Sequence, residues 1–183
     1  MDPNANTSPD ETPLEDEQAH LNPGKLSEIR DRLLRDQNLP LGVMAGLAAA
    51  ILGAALWAGV TVATEFQIGW MAIGVGFLVG FGVRALGKGV TNVFGIVGGG
   101  FAFIGCLMGN VLSACGFVSI QQSAPFLDVT LAILSQPAVV VEVLQVGFSP
   151  MDLLFYGLAV YAGYRYSFRQ LTQSDLARLE ATA

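Results

Sequence analysis

The reading turns on residues 37–64, QNLPLGVMAGLAAAILGAALWAGVTVAT, a run of 28 residues without a single charge. About 20 helical residues cross the ~30 Å hydrocarbon core of a bilayer, so a run of this length reads as a membrane span. Asn38-Leu39-Pro40 punctuates its start, with Pro40 suited to a first helical turn. The span is expected at about 41–63, and Thr64-Glu65 closes it.

Two further spans follow. Residues 66–86, FQIGWMAIGVGFLVGFGVRAL, are uncharged up to Arg84, which can snorkel from the helix end. Gly87-Lys88-Gly89 makes a turn. Residues 92–118 are again uncharged, and no charge occurs between Lys88 and Asp128. The next stretch, 119–148, is harder. It is apolar but carries Asp128, Gln136, Glu142 and Gln145, and Pro137 divides it into halves too short to span. Two short interfacial or re-entrant helices, roughly 125–134 and 137–146, are expected; one kinked fifth span is the alternative. Ser149-Pro150-Met151-Asp152 is a sharp helix start, with a capping serine, an early proline and an acid facing the helix dipole. A fourth span at about 151–168 has only 12 uncharged residues in its core. It crosses if Asp152 and Arg165 reach the two headgroup regions, with Tyr161, Tyr164, Tyr166 and Phe168 in an aromatic belt. The fold class is therefore all-α, an integral membrane bundle of four transmembrane helices.

Outside the spans the chain changes character. Residues 1–24 are rich in Pro, Asn and acid, with almost no large apolar residues, and are expected to be disordered. They have no basic segment leading into a short apolar run, so the first span is expected to stay as an anchor. Residues 25–37 place Leu26, Ile29, Leu33 and Leu34 at helical spacing with Glu28–Arg32 and Asp31–Arg35 pairs, which reads either as a juxtamembrane amphipathic helix with Ser27 as its cap or as a solvated lead-in turn. Residues 169–183 form a polar C-terminal tail.

Composition agrees. Of 183 residues, 52% are hydrophobic and 13% charged, half the ~25% usual in soluble domains. The net charge of −6 comes largely from the N-terminal tail. In the four-span topology all nine Lys and Arg fall on one side, and the other keeps Glu65, Asp128, Glu142 and Asp152. The positive-inside rule then expects both termini in the cytoplasm.

Small residues supply the packing signal. Lipid gives helices no hydrophobic drive to associate, so close backbone approach must provide contact. Gly46, Ala50 and Ala54 in the first span recur every four residues. So do Ala72, Gly76 and Gly80 in the second, and the pairs Gly95/Gly99 and Gly105/Gly109 in the third. These seams either pack the helices of one subunit or form an oligomer interface. Asn110 and Ser113 are the polar residues inside the third span. They either hydrogen-bond a neighbouring helix or line a pore.

Chemistry is sparse. Intramembrane charge marks function by default, but Glu65, Arg84 and Asp152 all fall at span ends. That argues against a proton-coupled transporter, a voltage sensor or an intramembrane protease. Cys106 and Cys115, nine residues apart, would stand ~13 Å apart along one helix, too far to pair. Gly98-Gly99-Gly100 lacks the GK[ST] of a phosphate loop, and a flexible point or a close-packing site is the better account. No cofactor, no metal and no catalytic residue is expected, and the acidic tail gives nucleic acid nothing to bind. The expected partners are the lipid bilayer and either further copies of the chain or another membrane protein. A non-enzymatic membrane component of that kind is the leading expectation. A small channel or transporter is the alternative.

The blocks 65–89, EFQIGWMAIGVGFLVGFGVRALGKG, and 149–169, SPMDLLFYGLAVYAGYRYSFR, resemble a group of bacterial four-span inner-membrane proteins of unknown function. Some of those carry an N-terminal zinc ribbon. This chain lacks the cysteines for one, so the resemblance implies a bacterial inner-membrane protein without implying a metal.

Overall fold

The computed structural model describes residues 23–66 and 69–169. The expected disordered tail and the C-terminal tail lie, apart from their inner boundary residues, outside the described residues. Seven helices and no strand occur among the described residues: α1 (Pro23–Asp36), α2 (Leu39–Thr64), α3 (Trp70–Gly87), α4 (Asn92–Gln122), α5 (Phe126–Leu134), α6 (Pro137–Gly147) and α7 (Pro150–Tyr166). The chain divides into one unit containing α1 and a second running from Asp36 to Gln170.

In the first unit, α1 begins at Pro23, two residues before the expected start. Proline is tolerated there because its missing N–H would be unbonded in a first turn anyway. Ser27 therefore lies inside the helix and not at its cap. Arg32 bonds Glu28 at 3.3 Å, one turn apart and exposed.

In the second unit, α2, α3 and α4 are each long and apolar enough to cross a membrane. The Asn38 side chain caps α2 by accepting from the Leu41 N–H at 3.1 Å. Glu65, Lys88 and Ser123 end α2, α3 and α4 in the left-handed conformation, with φ of 56°, 48° and 51°. Two boundaries differ from expectation. The second span was expected to start at 66, but α3 begins at Trp70. The third was expected to end at 118, but α4 continues to Gln122, because nothing before Ser123 and Pro125 breaks the helix. The Ser119 hydroxyl then donates to the Ala124 carbonyl at 2.6 Å and fixes the turn out of α4.

Contacts set the helix directions. Gly42 lies against Gly87 and Gly53 against Val75, so α2 and α3 are antiparallel. Gly46 lies against Phe101 and Gly116 against Val62, so α2 and α4 are parallel. Gly76 meets Ala159 and Gly80 meets Tyr166, so α7 runs parallel to α3. The bundle is α2, α3, α4 and α7 around a core of Trp57, Val75, Val79, Val83, Phe94, Cys106 and Tyr156. At one end the Asn38 N–H donates to the Gly87 carbonyl (2.8 Å) and the Arg169 N–H to the Gly89 carbonyl (2.9 Å). We call this the Lys88 end.

Helices α5 and α6 pack on the far half of α4. Val129, Ile133, Val140 and Leu144 gather around Val111 and Cys115. Together the two helices are apolar enough to span, but they meet at a bend of 104°.

Candidate functional site

All ten residues of the expected seams are buried, and each packs inside this one chain. A Cβ at Gly46 would stand 2.8 Å from both Phe101 and Val83, and one at Gly105 would stand 3.4 Å from the backbone of Ala50. Ala54 is fully buried. Gly109 lies under the Trp57 ring, whose atoms come within 3.1 Å of its Cβ position. Ala72 accepts a long contact from the Cys106 thiol at 3.9 Å. Gly76 and Gly80 receive α7, and Gly95 and Gly99 receive Tyr164 and Val160 of the same helix. The seams are thus spent on bringing α2 against α4 and α7 against α3 and α4.

One further tight junction lies outside the expected seams. Gly98 and Gly163 face each other across α4 and α7, each Cβ position within 2.7 Å of the other's carbonyl oxygen. Ser167 covers the same spot and donates to the Gly163 carbonyl. The signal was present as Ala159, Gly163 and Ser167, small residues every four positions along α7. Gly98 and Gly99 are thus close-packing residues. Gly100 turns outward and has nothing within 4 Å of its Cβ position.

The polar residues of the third span also face inward. The Asn110 amide donates to the Tyr156 hydroxyl, and that hydroxyl donates to the Cys106 carbonyl at 3.3 Å. This ties α4 to α7. Ser113 donates to the Gly109 carbonyl of its own helix at 2.7 Å. Trp57 stands edge-on to Tyr156, with ring centroids 6.3 Å apart. The Trp57 indole nitrogen and the Thr61 hydroxyl, one turn apart on α2, are buried without a hydrogen-bond partner among the described residues. Cys106 and Cys115 are both buried and unbridged.

Interhelical hydrogen bonds inside membranes average about 0.6 kcal/mol and reach about 1.7. We therefore expect Asn110→Leu to lower unfolding free energy by about 1 kcal/mol, read by SDS titration of the purified chain. Tyr156→Phe should cost about the same, and the double variant little more than either single one. Fully additive losses would sink the pairing.

The start of α7 carries the one buried acid of the bundle. Asp152 accepts from the Ser149 N–H at 2.8 Å, and the Ser149 hydroxyl accepts from the Met151 N–H at 3.3 Å. Asp152 is spent as a helix cap. The expected aromatic belt is corrected in part. Tyr164 and Phe168 pack inward on Gly95, Tyr166 packs on Phe77 and Phe81, and Tyr161 alone of the four is exposed.

Charge divides between the two ends. The unit's four basic residues, Arg84, Lys88, Arg165 and Arg169, all stand at the Lys88 end. Glu65 and Asp152 close the opposite end, Asp128 and Glu142 sit on the short helices, and Asp36 precedes α2 at the Lys88 end. No group of three or more His, Cys, Asp and Glu placed to hold a metal occurs among the described residues.

Two apolar grooves open on the outside of the bundle. One, of about 400 Å³, lies between α2 and α4, with Ala55, Gly59 and Ala63 on one wall, Leu112 and Gly116 on the other, and Phe126 of α5 completing the lining. The second, of about 560 Å³, lies between α4 and α7, where Gly100 and Gly157 leave the surface open.

Compared with known protein families, curated proteins and solved structures, the chain gives no match. What the site can do rests on its own residues.

Proposed function

We propose that this chain is a non-enzymatic membrane component whose four-helix bundle associates with further copies of itself or with another membrane protein. The observation that carries this reading is the α2–α4 groove. Ala55, Gly59 and Ala63 repeat every four residues on an exposed face of α2, and Gly59 has nothing within 4 Å of its Cβ position. Such a face admits a second helix at close backbone range, which is how helices associate in lipid. The buried seams are already spent within the chain, so association moves to this open face. The Asn110–Tyr156 bond favours helix gluing over the channel alternative, which would need Asn110 turned to a path.

In this proposal α7 is the fourth span. Its 17 residues rise about 26 Å, close to the hydrocarbon thickness, with Asp152 and Arg165 at its two ends. Both termini are cytoplasmic and the membrane is a bacterial inner membrane. The support is the grouping of Arg84, Lys88, Arg165 and Arg169 at one end, read by the positive-inside rule. It agrees with the resemblance to bacterial four-span proteins noted above.

Native mass measurement after gentle solubilisation tests association. We expect a multiple of 19.3 kDa or a co-purifying membrane protein, and Gly59→Ile returns the single-chain mass. A single-chain mass for the intact protein defeats the proposal. Topology is read separately from a cysteine added after Ala183. It should react with an impermeant reagent in inverted vesicles and stay protected in intact cells.

A further inference from the structure

The basic residues at the Lys88 end have no ionic partner among the described residues. Arg84, Lys88, Arg165 and Arg169 are all exposed, and the one ion pair among the described residues is Glu28–Arg32. They stand on neighbouring parallel helices. The Arg169 N–H donates to the carbonyl of Gly89, the residue after Lys88. Tyr166, next to Arg165, has its Cβ 2.9 Å from the Cβ position of Gly80, one turn before Arg84.

An aromatic surface leads into this charge. Tyr166 packs on Phe77 with ring centroids 4.8 Å apart and on Phe81 at 5.5 Å, and Phe77 stacks on Phe81 at 6.3 Å. Positions 77, 81 and 84 are spaced four and three, so they share one face of α3, and Lys88 follows as the cap of that helix. The face passes from two aromatic rings to Arg84, with Lys88 at the helix end just beyond.

We propose that this α3–α7 face binds an anionic phospholipid, with its phosphate among Arg84, Lys88 and Arg169 and an acyl chain along Phe77, Phe81 and Tyr166. Charge complementarity selects the headgroup. Basic pockets between membrane helices take anionic headgroups, and the attraction is short-ranged enough to require side chains at the leaflet surface. A free phosphate would use the cations but leave the aromatic strip idle. The inference rests on α7 standing as a membrane span, not on association between chains, and the cysteine labelling above reports on that topology independently.

The test uses the full chain in neutral detergent, offered phosphatidylglycerol or phosphatidylcholine with identical acyl chains, with retained lipid counted by native mass. We expect phosphatidylglycerol to be retained roughly tenfold over phosphatidylcholine. Arg84→Gln with Arg169→Gln should remove that preference and leave phosphatidylcholine retention as it was. Arg84→Lys with Arg169→Lys, which keeps both charges, should preserve most of the preference. Equal retention of the two lipids by the intact chain overturns the proposal. So does an undiminished preference in the glutamine variant, or displacement of the lipid by inorganic phosphate.

Discussion

Gly76→Leu should strongly destabilise the folded bundle. A Cβ at position 76 would overlap the Ala159 carbonyl oxygen and lie 2.9 Å from the Ala159 Cα and carbonyl carbon. Those are backbone atoms of α7, and they cannot swing aside as the tip of a side chain can. Alpha7 is itself held from the other side, where Gly163 lies against Gly98. Relief of the clash at α3 therefore opens the α4 junction. Overpacking a well-filled core costs about 1–3 kcal/mol and more where the neighbours are rigid. Leucine adds a whole side chain at a backbone-to-backbone contact, so the upper end or beyond is expected. The variant should lose its monodisperse elution in detergent, or unfold at least about 10 °C below the parent. Gly74→Leu is the control. It sits two residues away on the same helix with nothing within 4 Å of its Cβ position, and its midpoint should match the parent. Equal midpoints for the two variants would show that α7 does not pack on α3 in this way. Because the substitution acts on the chain's own fold, a change in subunit number after Gly76→Leu would say nothing about association. Gly59 is the position for that question.

How much of this was legible in the chain differs by level. The long apolar helices were plain, since uncharged runs bounded by Glu65, Arg84 and Lys88 leave little choice. The α7 start was plain as well, because Ser149, Pro150 and Asp152 are each placed where a first turn needs them. The end of α4 was less so. Ser119-Ile120-Gln121-Gln122 is polar enough to read as an exit from the membrane, yet polarity does not end a helix, and the chain coils on until the left-handed turn at Ser123. The small-residue seams were found in three helices and missed in α7, where Ala159, Gly163 and Ser167 are separated by bulky tyrosines that draw the eye to an interfacial belt. Spacing also identifies a face without naming its partner. Nothing in the repeat of Gly76 and Gly80 distinguishes α7 from a second subunit, because both present backbone to a groove. That choice is made in three dimensions, where Ala159 and Tyr166 of the same chain lie against Gly76 and Gly80. The open groove at Ala55, Gly59 and Ala63 has the same spacing as the buried seams, and only the folded bundle shows that it is unfilled.

Trp57→Ala should be the most damaging truncation in the core. Trp57 is the largest fully buried side chain. Its ring lies over Gly109 of α4 and meets Tyr156 of α7 edge-on at 90°, so one side chain fills the space where three helices converge. Removing a buried Trp from a water-soluble core costs about 3–5 kcal/mol, of which part is the loss of transfer from water and part the cavity left behind. In a bilayer the first part shrinks, because lipid tails are as apolar as the core. The cavity part remains, since the lost contacts have no substitute inside a close-packed bundle. A loss near 3 kcal/mol is therefore expected, read as a shift in the SDS unfolding midpoint, with Trp57→Phe recovering a substantial share because a ring still spans Gly109 and Tyr156. The damage should spread to the Asn110–Tyr156 bond, because Tyr156 loses the edge that orients its ring. Asn110→Leu should then cost less in a Trp57→Ala background than in the parent. Trp70 supplies the contrast. It is 72% exposed and touches Phe155 with centroids 6.1 Å apart, so Trp70→Ala should cost under about 1 kcal/mol. Equal losses at the two tryptophans would mean that the bundle does not converge on Trp57.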